Sequence, residues 1–381
     1  MINITKTMKI ILISTLIAFS VCFVSLGVSL VVEIVNNASE SVDIGGEGGG
    51  KSNPQKPSTP AGNIVAKEGA KTGIKLPCTT QSSTYLGAVD DKTKDISADT
   101  DIKSAAIALV DITDNRTVAG KNMDTKIYPA SMTKVMTLLV ACENAKDPNA
   151  LLTVTQDMMT KYSSGSNAGV STAFEWKTGY QVTVEDALHM VIYKSDTFAC
   201  WLLADYVSGS EAGFVSLMNQ KAAEMGLTGT HFTNCTGLYN ENHYTTAREM
   251  AAIMAAVMNN ETATAVITKT GMYSADVYEG GEHSQTVDMW SDWYTGRLEA
   301  YRWGAAGAPW AGSGSDIKIV SGKTGWETIP TSCFVTSAYD DITGRKYVCV
   351  QVGRIDKNQT SISSKVSTDD TRLTYQKYAV E

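Results

Sequence analysis

Between Ser131 and Glu143 the chain offers no polar face. Met132, Val135, Met136, Leu138, Leu139, Val140, Ala141 and Cys142 fall on every side of a helix. A helix that is apolar all round must be buried all round, so the rest of the fold has to surround it. Lys134 breaks this pattern in the first turn, because burying an ammonium is costly unless it is paired or neutralised. Desolvation lowers an amine's pKa and makes the neutral form available near pH 7. Ser131 lies three residues earlier, on the same helix face. A neutral amine beside a hydroxyl is a general base beside a nucleophile, and a helix N-terminus favours the negative charge that develops there. The plainer alternative is an N-cap serine followed by a snorkelling lysine.

The chain has 381 residues, 43% of them hydrophobic, too apolar for a disordered chain and long enough for one large domain or two modest ones. A net charge of −8 argues against a nucleic-acid partner. The seven cysteines lie far apart with no C-x-x-C, and no two histidines stand four apart. No Cys/His metal site is expected, and nothing calls for a cofactor.

Ile10 to Val32 is 23 residues without a charge, roughly 34 Å as a helix and enough to span a bilayer. Lys6 and Lys9 precede it and Glu33, Asp43 and Glu47 come after it, which puts the remainder outside the cytoplasm. Residues 1–33 read as an uncleaved anchor or as a cleaved signal segment; both readings export the rest of the chain. Residues 34–95 read as a flexible linker, Gly/Ser/Asn/Pro-rich to about residue 63 and weakly patterned after it. The folded domain is expected over 96–381.

Within it, Ser104–Asp111 and Thr117–Ala119 read as paired strands around an Asp114-Asn115 turn. Helices are expected to open at Thr183 and at Thr246, the latter with Glu249 in capping-box spacing. Thr331–Tyr339 and Lys346–Val352 predict an antiparallel hairpin about Asp340–Gly344. Strands at both ends with helices between them indicate one α/β (α+β) domain on an antiparallel sheet. Lys-Thr-Gly occurs four times, at Lys71, Lys177, Lys269 and Lys323. Only Lys323-Thr324-Gly325 follows a β-like run (Ile317 to Val320) and precedes the final hairpin; no clear strand follows Lys269. Ser315-x-x-Lys318 repeats the Ser-x-x-Lys spacing with no helix behind it. Ser164–Asn167 reads as a loop, and 259–316 reads as an aromatic insertion carrying Trp290, Trp293, Trp303 and Trp310, packed as a small satellite core or else forming a wall of the cleft against glycan or peptide stem. Cys333 and Cys349 are expected as buried thiols rather than a disulfide, and His243 as structural.

Tyr128–Thr137, Thr183–Leu188, Met218–Ala222, Met225–Leu227, Thr230–Phe232, Gly237-Leu238 and His243–Ala247 follow in order the pattern of low-molecular-weight penicillin-binding proteins, the serine D-alanyl-D-alanine carboxypeptidases (peptidase S11). From about residue 100 onward the chain resembles that family. The resemblance implies a DD-peptidase/β-lactamase-like fold, with an antiparallel five-stranded sheet flanked by helices and a mostly helical subdomain. It implies Ser131 as the acylated nucleophile, Lys134 as its base and Ser195 as the proton shuttle. Lys323 and Thr324 would bind the substrate's terminal carboxylate, with Gly325, Thr197 and Trp326 also at the substrate. The oxyanion hole would be the N–H groups of Ser131 and Trp326. The partners implied are a peptidoglycan stem peptide as substrate, β-lactams as covalent inhibitors, and the membrane through the N-terminal segment, with the domain on the extracytoplasmic face. The C-terminal β-domain and membrane helix of many relatives are not expected here, and the N-terminal run would replace that membrane anchor.

Departures from the pattern define the alternatives. The second motif reads Ser195-Asp196-Thr197, with Thr where the family usually has Asn, and a hydroxyl has one proton to donate where an amide has two. Glu327 follows Trp326 where Thr is usual, and Arg354 is only a substitute for a usual arginine. A catalytically impaired, wall-binding scaffold is therefore the competing reading. A class A β-lactamase is disfavoured because no Glu-x-x-Leu-Asn lies between Ser195 and Lys323.

Overall fold

The computed structural model describes residues 73–80, 85–164, 170–290, 317–327 and 331–379. They belong to one unit, Ile64–Glu381. The expected anchor, the Gly-rich tether, Gly165–Asn167, and the aromatic residues between 291 and 316 lie outside them.

In chain order the elements are β1 (Lys94–Asp95), β2 (Ala106–Asp111), β3 (Arg116–Lys121), a single 3-10 turn (Ala130–Met132) and α1 (Thr133–Asn144). Then come β4 (Leu151–Thr153), α2 (Gln156–Ser163), β5 (Tyr180–Thr183), α3 (Val184–Tyr193), α4 (Thr197–Ser208) and α5 (Glu211–Glu224). The remainder is α6 (Ala247–Met258), α7 (Glu261–Thr268), β6 (Met272–Glu279), β7 (Glu282–Trp290), β8 (Ile317–Glu327), β9 (Thr331–Asp340), β10 (Lys346–Val352) and α8 (Ser364–Tyr378).

The main sheet runs β1-β3-β2-β10-β9-β8. Its five long strands are antiparallel as expected; the two-residue β1 adds a short parallel edge to β3. Alternation along β2 explains the layering. Ala106, Ala108 and Val110 join the cluster built by α1, α3, α4 and α6, while Ile107 and Leu109 pack with Tyr375 of α8 on the other face. The sheet is therefore covered on both sides. The final hairpin turns where expected, with Gly344 (φ 72°) donating to Asp340 O at 2.9 Å.

Helix α1 is the hub. Every residue from Thr133 to Cys142 is buried, and α1 packs against α3, α4, α5, α6 and α7. Thr183 and Thr246 cap their helices, accepting from Asp186 N and Glu249 N at 3.1 Å each. Glu249 does not close the expected capping box; its carboxylate accepts from Gly229 N (2.8 Å) and Thr230 Oγ1 (2.5 Å).

Two expectations change. A second antiparallel sheet, β4-β5-β6-β7, includes a strand directly after the Lys269 motif. Tyr273, Ala275 and Val277 are buried there in alternation, but Ser274 and Asp276 between them are poor strand formers and hid it. Tyr273 stacks on His189 (3.8 Å, 10°) and donates to Asp186 Oδ1 at 2.8 Å, so this part of the aromatic stretch is core. Residues 73–80 and 85–95, placed with the linker, lie on the domain: Ile74 and Tyr85 are buried and β1 pairs with β3. Their few apolar residues lack a period because they drape over the surface instead of forming a helix. Cys333 and Cys349 are buried and lie opposite Val352 and Thr336, and no disulfide joins them.

Candidate active site

Ser131 sits on the 3-10 turn that leads into α1. Ala130 before it adopts the left-handed region (φ 47°). Two glycines allow this turn to be closely packed. A Cβ on Gly237 (φ 86°) would lie 2.0 Å from Ala130 O and 2.9 Å from Ser131 N. A Cβ on Gly325 of β8 would lie 2.6 Å from Cys333 Sγ and 3.2 Å from Ser131 N. The Gly237 loop and β8 thus close on the serine backbone from two sides.

One helical turn on, Lys134 Nζ lies 3.2 Å from Ser131 Oγ and donates to Thr236 O at 2.6 Å. It is 2% exposed and has no ion-pair partner among the described residues. Burial pushes the amine below the ordinary lysine value, against weaker opposing effects of Cys200, Cys235 and Asp196. The acceptor Thr236 O is fixed by Asn234, whose Oδ1 accepts from Thr236 N (3.1 Å), Thr236 Oγ1 (3.1 Å), Gly237 N (2.7 Å) and Leu238 N (3.2 Å). Asn234 and the Thr236 carbonyl were missed in the sequence; the Asn-x-x-Gly spacing of a tight loop was the available signal.

Ser195 occupies the turn between α3 and α4 in the left-handed region (φ 54°), 7% exposed. Asp196 pins that turn. Its carboxylate accepts from Ala199 N (2.8 Å), Ala173 N (2.5 Å) and Trp176 Nε1 (3.0 Å). Burial raises its pKa while those donors and Lys134 oppose. From β8, Lys323 Nζ reaches Ser195 Oγ at 3.1 Å and Thr324 O at 2.9 Å, itself almost wholly buried. The structure therefore brings together two serine–lysine pairs, Ser131–Lys134 and Ser195–Lys323.

Thr197 begins α4, is buried, and its hydroxyl makes no hydrogen bond to a described residue. Thr324, Gly325 and Trp326 follow Lys323 along β8, opposite Phe334, Cys333 and Ser332. Trp326 is 69% exposed, and Tyr239, two residues beyond Gly237, is 57% exposed. Glu327 ends β8 half-buried. Arg354 donates to Gln359 O at 3.3 Å, in the loop before α8. His243 is structural in its contacts. Thr233 N donates to Nδ1 (3.1 Å), which leaves the proton on Nε2 facing Thr133 Oγ1 (2.8 Å). Burial brings its pKa down to about 3, so the ring is neutral.

The chain matches the family described as D-alanyl-D-alanine carboxypeptidase, peptidase S11, over residues 92–289, just over half its length. It is 38% identical over 165 residues to D-alanyl-D-alanine carboxypeptidase DacC of Escherichia coli, covering 42% of this chain and 40% of that one. To DacF of Bacillus subtilis it is 34% identical over 172 residues, 45% and 42% of the two chains. The matches thus span about two fifths of those relatives' length. The D-alanyl-D-alanine carboxypeptidase of Streptomyces strain K15 is matched at 30% identity over 240 residues, 60% of this chain and 80% of the relative. A solved point variant of the Streptomyces K15 DD-transpeptidase superposes with a TM-score of 0.59 at 25% identity, covering 71% of this chain and 96% of that one. With its two serine–lysine pairs on a sheet-and-helix frame of this kind, the chain belongs to the peptidase S11 family of D-alanyl-D-alanine carboxypeptidases.

Proposed function

We infer that this protein is a serine D-Ala-D-Ala carboxypeptidase that removes the terminal D-alanine from peptidoglycan stem pentapeptides. The observation that carries the reading is the buried Lys134 amine 3.2 Å from Ser131 Oγ. The neutral amine takes the serine proton as Oγ attacks the penultimate D-alanine carbonyl. The N–H groups of Ser131 and Trp326 receive the resulting oxyanion. Ser195, held by Lys323, passes a proton to the leaving D-alanine nitrogen. Lys323 and Thr324 hold the substrate's terminal carboxylate, and Gly325 lets β8 approach the serine. Water then hydrolyses the acyl-enzyme. β-Lactams enter the same route and stop at the acyl-enzyme. The domain works on the extracytoplasmic face, attached through residues 1–33 or released if they are cleaved. Among the described residues no single helix is long and apolar enough to cross a membrane.

Thr197 supports a second reading. A substrate carbonyl met by one hydroxyl is oriented less firmly than by an amide, which favours a slow enzyme or a binding scaffold. The test is released D-alanine from a pentapeptide ending in D-Ala-D-Ala, for wild type and Ser131→Ala. Release by wild type alone supports the peptidase. No release, with fluorescent penicillin still labelling wild type, supports the scaffold.

A further inference from the structure

Residues 73–80 cross the surface as a strap, and several side chains hold it. Ile74 and Thr80 are buried. Thr262 Oγ1 donates to Lys75 O at 2.7 Å, and Asn260 Nδ2 reaches Cys78 O at 2.6 Å and Thr80 Oγ1 at 3.2 Å. Asn260 is fully buried and its Oδ1 caps α7 through Ala263 N, so the clamp is part of the core. Between these clamps Cys78 N donates to Cys142 O at 2.8 Å. A direct backbone bond holds two Cα atoms roughly 4.5–6.5 Å apart, which is the span of a disulfide.

The two thiols differ in access. Cys142 is fully buried near the end of α1, whereas Cys78 is partly exposed. Burial, and behind it the adjacent Cys78, push the Cys142 thiol above its ordinary value. The partly exposed Cys78 lies outermost and is backbone-bonded to the residue that carries the buried thiol. Cys200, deeper in the domain, is instead engaged with the carbonyl of Asp196 (3.2 Å) and Cys235 with the carboxylate of Glu211 (3.3 Å).

We propose that Cys78 and Cys142 form an oxidisable pair that closes into a disulfide, stapling the strap to α1. The oxidant is an external disulfide. The Cys78 thiolate attacks it, forms a mixed disulfide and expels one thiolate. Cys142 then gives up its proton, attacks Cys78 Sγ and expels the second thiolate. Two S–H bonds are lost, one S–S bond forms, and the external disulfide is reduced to two thiols. This holds whether or not the peptidase reading does.

The test incubates the full chain with oxidised glutathione, blocks remaining thiols by alkylation, and maps peptides without reductant. Expected is a Cys78–Cys142 linked peptide, about 2 Da lighter than the reduced pair, that disappears in Cys78→Ser. Thermal unfolding should rise by about 5–10 °C on oxidation and fall back with reductant in wild type only, because the bond closes a long loop of the unfolded chain. Acylation of Ser131 by fluorescent penicillin should change less than twofold. The proposal is overturned if both thiols stay alkylatable, if Cys78 stops at the mixed disulfide, or if either cysteine links to a different one. The wild-type map decides this even if the variant fails to fold.

Discussion

The approach of Gly237 to the serine turn makes a quantitative prediction. In Gly237→Ala the new methyl starts 2.0 Å from Ala130 O, whereas such atoms rest about 3.3–3.5 Å apart. The loop and the turn must therefore part by more than about 1 Å. Ser131 N is only 2.9 Å from the same methyl, so the nucleophile moves with the turn. A displacement of about 1 Å costs roughly 10²-fold in rate. The left-handed backbone adds about 1–2 kcal/mol of strain. Gly226→Ala is the control: its φ is 73° but nothing lies within 4 Å of the added methyl. It should lose a similar 1–2 kcal/mol of stability and keep its acylation rate. Stopped-flow acylation by fluorescent penicillin, with thermal unfolding of each variant, separates the two effects. Gly237→Ala acylating within threefold of wild type would refute the reasoning. So would a Gly226→Ala variant as slow as Gly237→Ala.

Lys134→Arg replaces the neutral amine with a permanent cation that cannot take a proton, so acylation should fall by about 10²–10⁴-fold across the pH range. In wild type the acylation rate should fall as acid protonates the Lys134 amine, whose pKa burial lowers, and a flat pH–rate profile would contradict the base assignment. His243 has a folded pKa of about 3 against an ordinary 6.5. The unfolded chain therefore binds the extra proton first, and stability should drop by roughly 2 kcal/mol between pH 7 and 5. Denaturant melts at the two pH values should show that drop in wild type and lose most of it in His243→Gln. Thr197→Asn adds a donor at the substrate carbonyl, worth about 1 kcal/mol or roughly fivefold in D-alanine release; an unchanged or lower rate removes Thr197 as the cause of slow turnover.

The elements legible in the sequence were those whose pattern is local. The burial of α1, the caps at Thr183 and Thr246, and the hairpin about Gly344 each follow from residues within one element. Ser131 and Lys134 were legible because a helical turn joins them. Ser195 and Lys323 entered the site only through the family resemblance, and their contact shows only in the structure, since 128 residues separate them. The Thr236 carbonyl stayed hidden because a backbone oxygen leaves no trace in residue identity, and Asn234 showed only as the first residue of a short Asn-x-x-Gly loop. The strap and β6 were lost for a related reason. The strap's burial depends on surfaces made by distant elements and it has no apolar period of its own, while in β6 the alternation of Tyr273, Ala275 and Val277 is short and interrupted by Ser274 and Asp276.

Helix α1 carries Lys134 in its first turn and is also the element around which the other helices pack. Fluctuations that expose its amides require most of the domain to open, so α1 should rank among the slowest regions in hydrogen exchange. On heating, acylation should then persist until the whole domain unfolds, since no early local melting detaches this lysine. The same arrangement narrows the routes by which such a domain can change. A substitution that loosens α1 disturbs Lys134 together with the packing, so stability and reactivity are inherited as one trait.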